Sequence, residues 1–151
     1  MSARPHIFNH NIETVERLTP LVRSRAKYQR SLSVLKKARS IAGGKVVTKS
    51  GMMLGLGEKE DEIIQAMDDL RAHDVTVLTL GQYLRPSPRH LPVVDYIKPE
   101  KFDDYKEIAL AKGFRHVASG PLVRSSYHAA DFRPELDLIE DIEIEAAATQ
   151  A

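Results

Sequence analysis

The sequence predicts an α/β protein built on a parallel sheet. Short apolar runs alternate along the chain with amphipathic segments of helical period, which is the pattern of consecutive β-α-β units. The 151 residues, 42% hydrophobic and 28% charged, are typical of one globular domain and not of a disordered chain. We expect part of a β/α barrel or an open doubly wound sheet, because too few units are present to close an eight-stranded barrel.

The first elements are a strand, a broken helical segment and a longer helix. We predict a strand over residues 6–8, and a helical segment that begins at Glu13 and is interrupted near Thr19 and Pro20. A helix over residues 31–41 ends at the glycines that follow it. Its apolar face is expected to comprise Leu32, Leu35, Ala38 and Ile41.

The second part of the chain repeats this alternation. We predict strands over residues 46–54, 75–80 and 116–119, with a helix after each of the first two. The first of these helices has an apolar face of Ile63, Ile64, Met67 and Leu70. The second begins at Pro99 and contains Phe102, Tyr105, Ile108 and Leu110. Residues 1–131 are expected to form the α/β domain, and residues 132–151 an acidic tail that is partly helical or disordered.

Polar residues follow the predicted strands at the ends where each strand stops. Asn9, His10 and Asn11 follow the first strand, and Glu58 comes after the glycines that end the second. In parallel sheets and barrels this edge is where ligands bind. The glycines of residues 49–58 either admit a flat ligand close to the backbone or form a tight turn.

The composition excludes several classes of protein and site. No run of about 18 apolar residues is present, so we expect a cytoplasmic protein without a membrane partner. Cysteine is absent, which excludes disulfides, thiolate zinc sites, a cysteine nucleophile and an iron–sulfur cluster ligated by this chain's own thiolates.

A basic run precedes the second strand, although the formal net charge is only +1. It contains eight basic residues and no acidic one: Arg17, Arg23, Arg25, Lys27, Arg30, Lys36, Lys37 and Arg39. The run is either a solvated helix face or a docking surface for an acidic partner or a phosphate. Nucleic acid is not expected, since Tyr28 is the only aromatic residue in the run.

Two further groups of residues carry possible chemistry. Lys49, in a strand, either forms a Schiff base once desolvated or simply pairs with an acid or faces solvent. The hydroxyls and bases of residues 124–128 either form a nucleophile site or cap a helix. His6 and His10 are four residues apart, but the strand predicted over residues 6–8 argues against a helical metal pair.

Five segments, taken in order, resemble lipoyl synthase, a radical S-adenosylmethionine enzyme. They are NHNIETV (9–15), YQRSL (28–32), KSGMMLGLGE (49–58), QYLRPS (82–87) and GPLVRSSYHA (120–129). The resemblance implies the C-terminal half of a partial β/α barrel. It also implies sulfur insertion into an octanoyl group carried by a lipoyl domain or glycine-cleavage H protein, with S-adenosylmethionine and two 4Fe-4S clusters as cofactors.

The resemblance also implies roles for particular residues. Ser126 matches the serine that ligates one iron of the auxiliary cluster, and Arg124 lies beside it as a further catalytic candidate. The positions that match cofactor-flanking segments are Asn9, Asn11, Glu13, Gly55, Gly57 and Glu58.

The absence of cysteine departs from the resemblance. Because the family's cysteine triplets have no counterpart here, we expect a truncated or split protein that is inactive alone and works with a separate N-terminal half. The alternatives are a non-catalytic module that binds a carrier protein or nucleotide, and a Schiff-base lyase that uses Lys49.

Overall fold

The computed structural model describes residues 6–22, 27–41, 43 and 46–123. Four strands of this part form one sheet in the order β1-β2-β3-β4, and every neighbouring pair is parallel. The strands are β1 (His6–Asn9), β2 (Val46–Leu54), β3 (Val77–Gln82) and β4 (His116–Gly120). The predicted α/β class with a parallel sheet is confirmed, and the chain-order arrangement is that of successive units of a β/α barrel.

Helices connect consecutive strands. They are α1 (Thr19–Val22), preceded by a 3-10 helix at Glu16–Leu18, then α2 (Tyr28–Ile41), α3 (Glu60–Ala72) and α4 (Pro99–Ala111). Right-handed crossovers, the rule for such connections, place all the helices on one face of a sheet of this order. Among the described helices, none has the length and apolar character needed to cross a membrane.

The hydrophobic core lies between that face of the sheet and the helices. Alternate residues of the central strands enter it, namely Met52 and Leu54 from β2, and Leu78 and Leu80 from β3. The helices contribute buried side chains that include Leu32, Leu35, Ile63, Met67, Leu70, Phe102 and Tyr105. The other alternate residues, including Lys49, Gly51 and Thr79, therefore face the opposite side of the sheet.

Three predicted boundaries need correction. The helix expected to begin at Glu13 begins at Glu16, because Glu13 instead forms a bridge with Met52 of β2. Thr19 and Pro20 do not interrupt a helix but begin α1, where a first-turn proline is tolerated. β3 begins two residues later than predicted and runs to Gln82, since Gly81 and Gln82 pair with Met53 and Leu54.

Two predicted helix faces are also wrong in part. Ile41 is 76% exposed at the last position of α2, so it does not join the buried face of Leu32 and Leu35. In α4, Ala109 is buried and Leu110 is 39% exposed, because the face that packs on the sheet continues from Phe102 and Tyr105.

Candidate functional site

A cavity of about 160 Å³ lies at the carboxyl-terminal end of the sheet, on the face opposite the helices. The β2 and β3 residues on that face are Gly51, Met53, Thr79 and Gly81. The remaining lining comes from Met52 and from the segments after β1 and β4. Those segments contribute Asn11, Glu13 and Val123.

The segment after β1 reaches the cavity because it continues along the edge of β2. His10 N–H donates to Lys49 O at 3.0 Å, and Glu13 N–H donates to Gly51 O at 3.0 Å. Glu13 O then accepts a hydrogen bond from Met53 N–H at 2.8 Å. Ile12 is fully buried in the core, so its neighbours Asn11 and Glu13 are directed to the cavity side.

Gly51, in the cavity wall, leaves room for two neighbouring polar side chains. A Cβ at this position would overlap Thr79 Oγ1 and would lie 3.2 Å from both Asn11 Oδ1 and Thr79 O. Any larger residue would displace these two polar side chains. The glycine therefore allows an amide and a hydroxyl to approach the same part of the strand.

Glu13 has a backbone conformation that is rare for a residue with a side chain. Its φ is +72°, in the left-handed region, which costs roughly 1–2 kcal/mol for a residue other than glycine. The two backbone hydrogen bonds to β2 hold it there. Strain of this kind is concentrated at functional sites, and here it holds Glu13, which carries the one carboxylate among the described residues that line the cavity.

 Asn9 of β1 pairs with Lys49 of β2 in the register of the sheet, and this pair lies two residues before Gly51 along β2. Asn9 Oδ1 is buried and has no hydrogen-bond partner among the described residues, and Lys49 is only 2% exposed. The sequence-based alternative in which Lys49 faces solvent is therefore wrong. Asn9 does not line the cavity, so of the predicted cofactor-binding residues only Asn11 and Glu13 do.

The turn after β2 is shaped by Glu58. Its carboxylate accepts hydrogen bonds from Gly55 N–H at 2.9 Å and from Leu56 N–H at 3.0 Å. Gly55 and Gly57 have φ values of +106° and +103°, which favour glycine. These three residues, predicted to flank a cofactor, thus form a fixed turn at the end of β2 and do not line the cavity itself.

An ion pair ties the segment after β1 to α3. Arg17 donates to both carboxylate oxygens of Glu62, and it also donates to Gly57 O at 3.0 Å. The hydrogen bonds from Arg17 and from Lys59 N–H lower the pKa of Glu62 to about 2. Arg17, counted in the basic run, is therefore already paired within the fold.

A second cavity, of about 490 Å³, lies between this segment, Tyr28 and α3. Tyr28 O–H donates to Asp69 Oδ2 at 2.7 Å in its wall. Burial, followed by the hydrogen bond to Asp69, raises the pKa of Tyr28 well above its ordinary value. The phenol therefore stays protonated and serves as a fixed donor between α2 and α3.

Ser126 and Arg124, the predicted catalytic pair, lie outside the described residues. Within the part of the chain that the structure describes, no three His, Cys, Asp or Glu side chains form a group that could hold a metal ion. The metal assignment to Ser126 stays a prediction.

Sequence reasoning missed most of the cavity residues as site residues, among them Gly51, Thr79 and Gly81. The signal that could have found Thr79 and Gly81 is the alternation in β3, where these two residues alternate with the buried Leu78 and Leu80. Small and polar residues on one face of a buried strand indicate that this face contacts something other than the helix layer.

Comparison with curated proteins shows close relatives over most of the chain. A lipoyl synthase of Geobacillus thermodenitrificans is 60% identical over 129 residues, which is 85% of this chain and 43% of the relative. One of Oceanobacillus iheyensis is 61% identical over 129 residues, 85% of this chain and 41% of the relative. One of Halalkalibacterium halodurans is 54% identical over 147 residues, 97% of this chain and 48% of the relative.

These matches leave part of each relative uncovered, since the chain spans less than half the length of the lipoyl synthases it matches. No protein-family model matches the chain. Identities of 54–61% over nearly the whole chain, on an all-parallel α/β sheet, nevertheless identify its relatives without ambiguity. Over the region matched, the chain is homologous to part of lipoyl synthase.

Proposed function

We propose that this chain supplies the cofactor-facing sheet of a lipoyl synthase, which inserts two sulfur atoms into an octanoyl group on a lipoyl domain or glycine-cleavage H protein. The cavity bordered by Gly51, Asn11 and Thr79 is the observation that carries the proposal. It lies at the carboxyl-terminal edge of a parallel sheet, where barrels bind their ligands.

The cavity residues fit part of S-adenosylmethionine. A volume of about 160 Å³ is below the roughly 300 Å³ of a complete small-molecule site, so it suits one portion of the cofactor, such as the nucleoside. Gly51 leaves room for Thr79 and Asn11 against the strand, and Asn11 and Glu13 present an amide and a carboxylate to hydroxyl or ammonium groups. On reductive cleavage this cofactor supplies the radical that abstracts hydrogen from the octanoyl chain.

The protein's own contribution is therefore to bind and orient. Backbone bonds to β2 fix Glu13 in its left-handed conformation, so the direction in which its side chain leaves the backbone is set before the cofactor arrives. Thr79 occupies the space that a side chain at position 51 would need. Glu58 holds the turn that follows, through two backbone amides.

The residues present do not fit the iron–sulfur clusters. Such clusters are held by cysteine thiolates, and the 151 residues contain no cysteine. The single hydroxyl of Ser126 offers one ligand at most. We propose that the cluster ligands come from another polypeptide.

Binding of S-adenosylhomocysteine, a stable relative of the cofactor, tests the cavity assignment. We expect isothermal titration calorimetry to detect binding by the full chain, and Gly51→Ala to weaken it at least about tenfold because the added methyl displaces Thr79 and Asn11. Gly43→Ala is the matched control, since a methyl there meets nothing within 4 Å. Equal affinity of the Gly51→Ala variant and the original chain would contradict the assignment.

A lipoylation assay tests whether the cluster ligands come from a separate polypeptide. The chain would be incubated with octanoylated H protein, S-adenosylmethionine, reductant, iron and sulfide, with or without a separately produced cysteine-bearing segment of a relative. We expect mass spectrometry to show sulfur insertion only with both polypeptides. Sulfur insertion by the chain alone would overturn this part of the proposal.

The burial of Lys49 favours one alternative function, a Schiff-base lyase. At 2% exposure in β2, its amine is largely removed from water, which is the setting that Schiff-base lysines use. Borohydride trapping with a small carbonyl substrate should label Lys49 if this function is real. Absence of label at Lys49 in peptide mapping would exclude it.

A further inference from the structure

The loop between β3 and α4 folds back over the turn that ends β2. Val94 N–H donates to Gly55 O at 2.8 Å, and Asp95 N–H lies 3.3 Å from the same oxygen. Val94 also packs near Gly57, where a Cβ would lie 3.7 Å from one of its methyl groups. The turn of residues 55–58 is therefore covered by a loop that follows it by about 40 residues of chain.

Gln82 attaches this loop to the sheet. It is the last residue of β3 and is 5% exposed. Its Nε2 donates to Asp95 O at 2.9 Å and to Tyr83 O at 3.0 Å, and its Oε1 accepts from Ile97 N–H at 2.9 Å. Both amide N–H groups and the amide oxygen are thus used, so a residue without this amide would leave buried backbone groups unpaired.

Gly55 packs directly against Gln82 and against Asp95 of the loop. A Cβ on Gly55 would overlap Asp95 O and Gln82 Nε2. On its other side, the Gly55 and Leu56 amides donate to Glu58. The turn is therefore held on one side by Glu58, and on the other by a loop whose position depends on Gln82.

We propose that Gln82 is a positioning residue for the cofactor-binding edge of the sheet. It fixes the loop of residues 94–97, the loop fixes the carbonyl of Gly55, and the turn of residues 55–58 keeps its shape beside the cavity residue Met53. This proposal rests on the proposed function, because it assigns Gln82 to the edge where S-adenosylmethionine would bind. The competing possibility is that Gln82 stabilises the loop without affecting the turn.

Gln82→Glu tests the proposal, with Tyr83→Phe as the matched control. The first change places a carboxylate oxygen against the carbonyls of Asp95 and Tyr83 and keeps an acceptor for Ile97. The second removes the hydrogen bond from Tyr83 O–H to Leu91 O, 2.6 Å long, in the same loop. Gln82→Leu is the second variant if the buried carboxylate prevents folding.

Amide hydrogen exchange and calorimetry with S-adenosylhomocysteine give two independent measurements on the full chain. In the Gln82 variant we expect exchange of the Gly55 and Leu56 amides to accelerate at least about tenfold, and affinity to fall roughly tenfold. In Tyr83→Phe we expect both values to stay within about twofold of the original chain.

Two results would overturn the role of Gln82: unchanged exchange at Gly55 and Leu56 in the Gln82 variants, or equal acceleration in Tyr83→Phe. If the original chain does not bind S-adenosylhomocysteine, the proposed function fails. The exchange comparison then still decides whether Gln82 fixes the turn, so the two failures are distinguishable.

Discussion

Arg17 and Glu62 are joined by two hydrogen bonds, from Nε to Oε2 at 2.7 Å and from a terminal guanidinium nitrogen to Oε1 at 3.0 Å. The contact spans 45 positions of sequence and links the 3-10 helix after β1 to the first turn of α3. Because Arg17 also donates to Gly57 O, the same side chain reaches the turn that ends β2. Three segments around the carboxyl-terminal edge of the sheet thus meet at one guanidinium.

The ion pair predicts how stability changes in acid. The pKa of Glu62 is lowered from 4.5 to about 2, so its charged form is favoured in the folded state. The stabilisation is therefore complete above about pH 4.5 and is lost as the pH falls toward 2. Urea unfolding should show a difference between the original chain and Glu62→Gln that shrinks over this interval.

Glu107→Gln provides the control for this comparison, because Glu107 is an exposed carboxylate on α4. The effect of this substitution on the free energy of unfolding should be small. High salt should also reduce the Glu62 effect, since the Arg17 side chain is half exposed. A Glu62→Gln effect that is constant from pH 6 to pH 2.5 would contradict the assignment.

The backbone strain at Glu13 predicts that stability and binding respond differently to substitution. Glu13→Gly removes a left-handed strain of roughly 1–2 kcal/mol but gives the unfolded chain more freedom. We expect the free energy of unfolding to change by less than about 1 kcal/mol, while affinity for S-adenosylhomocysteine falls roughly tenfold through loss of the carboxylate. Urea unfolding and calorimetry measure the two quantities.

Glu13→Gln separates the carboxylate from the backbone, since it keeps the side-chain length and the strain. Its affinity should lie between those of the original chain and Glu13→Gly. Undiminished binding by Glu13→Gly would show that Glu13 serves only the fold.

The sheet could be predicted from the sequence, because the strands are short apolar runs whose signal is local. Val46–Leu54 was predicted with its observed bounds, and polar residues were correctly expected at the carboxyl-terminal edge. The end of β3 could not be predicted locally. Gly81 and Gln82 are poor strand formers by composition, and only their pairing with Met53 and Leu54 places them in the sheet.

The site was predicted in part, for a related reason. Asn11 and Glu13 stood out because they are polar residues directly after a strand. Gly51 and Thr79 lie within strands, and their importance depends on a register that brings them opposite each other. The pairing of Arg17 with a residue 45 positions away likewise removed it from a basic run that looked uniform in sequence.

Gly55 should be far less tolerant of alanine than Gly43. Both have positive φ values, but only at Gly55 would a Cβ overlap neighbouring atoms. We expect Gly55→Ala to lower the free energy of unfolding by about 2–4 kcal/mol, from strain and overlap together, and Gly43→Ala by about 1 kcal/mol. If urea unfolding shows that the two variants lose similar free energies of unfolding, the loop over Gly55 shifts easily to accept a side chain. That result would weaken the proposed link from Gln82 to the turn.

The exposed face of α2 gives a test of docking by the proposed carrier protein. Arg30, Lys36 and Lys37 are exposed there, and α2 contains no acidic residue. If the octanoylated carrier presents an acidic surface, charge reversal at Arg30 and Lys37 should slow its association about tenfold at low salt and have little effect at high salt. Surface plasmon resonance with octanoylated H protein over a salt series measures this rate.

Lys106→Glu is the matched control, because Lys106 is equally exposed on α4 but is surrounded in sequence by Asp103, Asp104 and Glu107. Electrostatic steering depends on the local field, so reversal within this mixed surface should change the association rate by less than about twofold. If charge reversal on α2 leaves the association rate unchanged, or acts no more strongly than reversal on α4, the basic run is only a solvated helix face.

A salt-sensitive effect confined to α2 would place carrier docking on the helix side of the sheet, while the cavity at Gly51 opens on the opposite face. The octanoyl group would then have to reach around the carboxyl-terminal edge, past the turn that Glu58 and Arg17 hold.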